Sequence, residues 1–169
     1  MNLKFLLLVA CLTSSLFAAD PSATANPLID FPGHKQSVLS VEKLRRTRLV
    51  SEAEFLRLAR EPGTIVLDAR SREKFAQLHI AGAINLSFPD FTDETLAQAI
   101  PAKTTRVLIY CNNNFKDSPA AFPAKRAGIA LNLSTYVALH TYGYDNVYEL
   151  APLLEVKTTR LPLAGREAI

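Results

Sequence analysis

Cysteine is scarce in this sequence: the 169 residues hold only Cys11 and Cys111. So few exclude a framework of disulfides. The histidines, His34, His79 and His140, stand apart from one another, and no pair of histidines or carboxylates has metal-ligand spacing, so no metal site is expected. Charge of one sign is not in excess either. The formal charge of +3 is too mild to argue for nucleic acid, and the short basic run Arg45, Arg46 and Arg48 has no aromatics interleaved for base stacking. That run reads as a solvated face near the domain entrance. No internal repeat is visible, and the apolar run Phe5 to Phe17 is too short to span a bilayer comfortably.

What is present fits one soluble globular domain, with 49% hydrophobic and 21% charged residues. Lys4, the apolar run behind it and the small residues Ala18 and Ala19 form the pattern of an export signal, with cleavage expected after Ala18 and Ala19 the next position. A competing reading takes Leu8-Val9-Ala10-Cys11 as a lipoprotein box, but the apolar run continues past Cys11. The expected organisation is a signal at 1–18, a flexible lead-in at 19–45 carrying Pro21, Pro27, Pro32 and Gly33, and an ordered domain at 46–169. Export places the protein in the periplasm or outside the cell, without stable membrane insertion after cleavage. The mature chain then carries a charge of +2 and one thiol, Cys111, which is either buried and inert or kept for its reactivity.

Apolar patterning predicts alternating helices and strands. Ser51 with Glu54 makes a capping box ahead of Phe55, Leu56 and Leu58, and Pro62-Gly63 ends that helix. Thr64 to Leu67 reads as a strand buried on both faces, Ser71 to Leu78 as a short helix, Gly82 to Leu86 as a strand, and Thr92 to Pro101 as a capped helix. Arg106 to Tyr110 is the third strand. A polar loop from Asn112 to Pro119 should give way to a helix at Pro119 capped by Asp117 or Ser118, then to a second helix from Ser134 to Tyr142 closed by Gly143. Asn146 to Leu150 is the last strand. The fold class is therefore α/β, a three-layer sandwich with a mainly parallel sheet of about five strands and helices on both faces.

Cys111 falls just past the C-terminal end of a predicted parallel strand, where open α/β sheets bind ligands. Its loop can turn backbone N–H groups inward as an anion-binding nest, and a helix starting near Pro119 would add positive potential. Both effects would lower the thiol pKa and favour a nucleophilic thiolate. Asn112, Asn113 and Asn114 suit a nest because asparagine tolerates left-handed backbone, although a plain polar turn explains them equally well. Lys116 is the loop's cation, able to hold an oxyanion or simply to sit in solvent. Phe115, Asp117 and Ser118 complete the candidate substrate loop.

The string IVLDARSREKFAQLHIAGAINL, Ile65 to Leu86, resembles the signature of the rhodanese superfamily. VLIYC at Val107 to Cys111 is similar to that family's active-site strand and cysteine, and YGYDNVYEL at Tyr142 to Leu150 to its closing strand. The resemblance extends over about Leu49 to Gly165. It implies sulfur transfer: the cysteine takes sulfane sulfur from a donor such as thiosulfate, holds it as a persulfide among backbone amides and passes it to a nucleophilic acceptor. It implies architectural roles for Asp68, Arg70, Glu73, His79 and Gly82, no cofactor, and partners that are small sulfur donors or acceptors or a thiol protein. A monomer is expected.

Two departures from the family pattern stand out. Active rhodaneses typically open the loop with an arginine and close it with another basic residue, whereas here Asn112 takes the first place and Lys116 is the sole cation. The stretch from Cys111 to Gly143 also holds about ten residues more than the usual single helix. A phosphatase arrangement would need a basic residue where Asp117 stands. The reading is an exported sulfurtransferase or persulfide carrier, with a non-catalytic binding module and a thiol redox sensor as alternatives.

Overall fold

The computed structural model describes residues 26–168. The expected signal, its cleavage site and Cys11 lie outside the described residues. A compact unit runs from Phe31 onward. Its elements are α1 (Phe31–Arg45), β1 (Leu49–Val50), α2 (Glu52–Ala59), β2 (Ile65–Asp68), α3 (Arg72–Gln77), β3 (His79–Ile80), β4 (Ile84–Asn85), α4 (Asp93–Ala99), β5 (Val107–Tyr110), β6 (Phe115–Lys116), α5 (Leu131–Thr141), β7 (Val147–Leu150), β8 (Leu154–Glu155) and β9 (Leu163–Ala164).

Five strands form one parallel sheet in the order β1-β7-β5-β2-β4. The central strands read as unbroken apolar runs because both faces are covered. Leu67, Val107 and Ile109 point into a core shared with Val41, Leu96, Tyr136 and Leu139. Val66, Leu108 and Tyr110 point the other way, into a core with Phe55, Leu58, Phe115 and Phe122. The result is the three-layer α/β sandwich, α1, α4 and α5 on one face and α2 on the other. Local signals start the helices: Ser51 Oγ accepts from the Glu54 N–H at 3.2 Å, and Thr92 and Thr95 cap α4 reciprocally.

Two expectations need correction. Residues 31–45 are not a flexible lead-in but the ordered helix α1, which buries Val41 in the core and packs on α5. Pro32 reads as a breaker, yet it sits in the first helical turn, where its missing N–H has no helical partner to lose. The helix expected at Pro119 is absent, and residues 117–126 run irregularly. There the carbonyls of Ala120 and Ala121 accept from Lys74 Nζ at 2.8 Å and Arg70 Nη1 at 2.9 Å instead of from helical amides.

Candidate active site

Strand β5, the central strand of the sheet, delivers Cys111 to its C-terminal edge. The residue is only 2% exposed, but it lines a hollow of about 220 Å³ together with Arg45, Asn113, Asn114, Asn132 and Glu149. Three backbone N–H groups, those of Asn132, Asn113 and Leu131, lie near enough to its sulfur to favour its charged form. Two of these belong to the start of α5, so the helix that faces the thiol begins twenty residues after it rather than at Pro119. Burial nevertheless wins. It pushes the Cys111 thiol pKa up, the amides pull it down, and the charge of Glu149 adds to the rise. The expected depressed thiol is therefore corrected to a raised one.

The asparagines have separate tasks. Asn114 is buried: its Oδ1 accepts from the Cys111 N–H at 2.9 Å and from Asn132 Nδ2 at 3.1 Å, while its own Nδ2 donates to the carbonyls of Leu150, at 2.7 Å, and Pro152. It ties the cysteine to α5 and to the end of β7. Asn113 exchanges two hydrogen bonds with the backbone of Lys125, at 2.7 and 2.9 Å, fastening the loop to the irregular segment. Asn112 is buried, and its Oδ1 has no hydrogen-bond partner among the described residues.

The rest of the expected substrate loop turns away from the sulfur. Phe115 is core, its ring centroid 4.5 Å from that of Phe122 in a tilted pair. Lys116 lies on β6 and pairs with Glu155 of β8 at 2.7 Å, so it is not positioned to hold an oxyanion at Cys111. Asp117 is, among the described residues, the one non-glycine with positive φ, 69°, and Ser118 offers its carbonyl to the Phe122 N–H at 2.8 Å. Phe115, Lys116 and Asp117 line a second hollow that does not include Cys111.

The cation at the thiol comes from elsewhere. Arg45, the last residue of α1, forms a two-pronged ion pair with Glu149 of β7: Nη2 meets Oε1 at 2.8 Å, and Nε meets Oε2. Glu149 also accepts from Asn132 Nδ2 at 3.2 Å. Sequence reading placed Arg45 on a solvated face and gave Glu149 and Asn132 no role. Nothing local marks them, since they meet only through the packing of α1 on α5.

Asp68 and Arg70 lie below this site as a fully buried pair. Arg70 Nη2 reaches Asp68 Oδ2 at 2.6 Å and the Leu78 carbonyl at 2.7 Å, and Tyr110 donates to the same carboxylate at 2.5 Å. The Arg70 guanidinium stacks 4.3 Å over Phe122. His79 stacks on Phe75 with centroids 3.7 Å apart, and its Nδ1 meets the Phe75 carbonyl at 2.7 Å. Gly82 has φ +83°, a turn that disfavours side chains, and Glu73 is exposed in the first turn of α3. None of these residues lines the Cys111 hollow. Among the described residues no cluster of metal-ligating side chains occurs, and no helix is long and apolar enough to cross a membrane.

Fold and site together define an α/β protein whose cysteine sits in a ring of amides at the C-terminal edge of a parallel sheet. The family model of the rhodanese-like domain matches residues 51–151, and the chain belongs to that family. Of three similar solved structures, the first two agree on the fold. The BH2092 protein from Bacillus halodurans is 20% identical, with a TM-score of 0.51 over 80% of this chain and 88% of that one. The rhodanese-like domain of the Alr3790 protein from Anabaena sp. is 21% identical, with a TM-score of 0.50 over 71% of this chain and 80% of that one. A rhodanese with anions from E. coli is 26% identical, with a TM-score of 0.40 over 60% of this chain and 98% of that one. No curated protein matches the chain.

Proposed function

We propose that this protein is an exported sulfurtransferase or persulfide carrier with Cys111 as its nucleophile. The observation that carries the reading is the convergence of the Asn132, Asn113 and Leu131 amides on the Cys111 sulfur inside a hollow. Amides so placed stabilise negative charge without a proton to lose. In the first half-reaction the Cys111 thiolate attacks the sulfane sulfur of a donor, the donor's S–S bond breaks and, with thiosulfate, sulfite departs with the bonding pair. The terminal sulfur of the resulting persulfide carries the charge. In the second, a thiolate of a small molecule or protein attacks that sulfur, and Cys111 leaves as thiolate. No cofactor enters either step.

One observation favours a second reading. A thiol raised by burial is largely protonated near neutrality, which suits a domain that recognises a ligand and leaves it unchanged. Incubation with thiosulfate or an organic trisulfide, followed by intact mass measurement, separates the two. One added sulfur atom, absent in Cys111→Ser, is the result expected of the sulfur carrier. No added sulfur from any donor supports the binding module. The expected export is checked by the N-terminal sequence of the secreted chain, which should begin at Ala19.

A further inference from the structure

Nothing in the family-matched segment, residues 51–151, supplies a cation to the Cys111 hollow: Arg70 is sealed against Asp68, and Lys116 is paired with Glu155 outside it. The hollow does have one guanidinium, that of Arg45, which belongs to α1 and precedes the matched segment. Its side chain is one-third exposed, whereas the Glu149 carboxylate it grips is 6% exposed. Two of its nitrogens are engaged by Glu149, and Nη1 has no hydrogen-bond partner among the described residues. A planar guanidinium with an open edge, lining the same hollow as a nucleophile, has the geometry to receive an oxyanion.

We propose that Arg45 is the residue that sets the charge selectivity of the Cys111 site, and that Glu149 is the internal counter-ion masking it until an anionic ligand takes its place. The assignment deepens the sulfur-transfer reading and rests on it. With Glu149 in place the hollow presents a compensated pair and little net attraction for anions. An incoming sulfonate or carboxylate exchanges with one Glu149 oxygen on the guanidinium, and Asn132 Nδ2, already 3.2 Å from Oε1, keeps a partner on the displaced carboxylate. Helix α1 is thus part of the site, since removing it would remove the cation.

The test uses the full mature chain and two alkylating probes of similar size, anionic iodoacetate and neutral iodoacetamide, with the rate at Cys111 followed by mass. Their rate ratio cancels thiolate fraction and general accessibility, leaving the local field. Arg45→Met should lower the iodoacetate-to-iodoacetamide ratio about tenfold, Arg45→Lys should retain most of it, and Glu149→Gln should raise it about tenfold. Far-ultraviolet circular dichroism identifies any variant that does not fold, and Glu149→Gln, which changes no residue of α1, then decides by itself. An unchanged ratio in folded Arg45→Met or in Glu149→Gln overturns the assignment. A ratio that moves as stated, in a protein that takes sulfur from no donor, overturns the sulfur-transfer reading and leaves the charge assignment standing. If neither probe reaches Cys111 in the native protein, the hollow admits no ligand and both fall.

Discussion

Arg45 and Glu149, 104 residues apart, close on each other beside the Cys111 sulfur and so join the first helix to the last strand of the main sheet. Glu149 is close enough to the thiol for its charge to oppose ionisation there.

A pH dependence follows with a definite sign. Burial first, and the charge of Glu149 after it, raise the Cys111 pKa in the folded state above that of the unfolded chain. The stability tied to the neutral thiol is therefore complete below the ordinary thiol pKa and is lost as pH rises through the folded value. Native-state alkylation by iodoacetamide should still be accelerating with pH above the range where a free cysteine levels off. Glu149→Gln should move that midpoint down, and a midpoint that stays or rises would show that the carboxylate does not act on the thiol.

The buried pair beneath the site is expected to dominate local stability. Arg70→Met leaves Asp68 buried without its cation and should cost about 3–5 kcal/mol in urea unfolding. Tyr110→Phe removes one hydrogen bond to the same carboxylate and should cost about 1–2 kcal/mol. Equal, small losses in both would mean that the carboxylate is neutralised by something other than Arg70.

Asn114 is predicted to be a positioning residue. Asn114→Ala deletes the links from the Cys111 N–H to α5 and β7, and should cost about 1–3 kcal/mol. Sulfur uptake at Cys111 should fall further than the loss of folded protein explains, as read by mass on the folded fraction. Uptake that tracks folded fraction alone would reduce Asn114 to a structural link.

What could be read from the sequence was what local chemistry determines. Val107 to Tyr110 announced a strand covered on both sides because its residues serve both cores, and Ser51 and Thr92 announced their helices by caps that form as expected. The false helix after Pro119 shows where local preference loses. Ala120, Ala121 and Ala124 favour a helix, but Pro123 could donate no helical hydrogen bond, and Arg70 and Lys74 capture the carbonyls first. Helix α1 was hidden by Pro32-Gly33 and by having a single buried residue, Val41. With α1 unread, Arg45 could not be placed at the thiol, and Lys116, equally readable as a solvated lysine, was the loop's one candidate for holding an anion. The family signature located Cys111 but not the residues that surround it, because these come from α1, α5 and β7.

Helix α1 should therefore be required for both stability and site. Val41→Ala should cost about 1–2 kcal/mol in urea unfolding, a size set by one buried side chain trimmed in a packed core. A neutral effect would mean that α1 is not docked on α5 in solution.

The most direct test of the whole account is a crystal structure of the protein after exposure to a sulfane donor. A second sulfur bonded to Cys111 Sγ, within hydrogen-bonding reach of the Asn132, Leu131 and Asn113 amides, is the predicted result. A bare Sγ, or an added sulfur directed away from those amides, would contradict it.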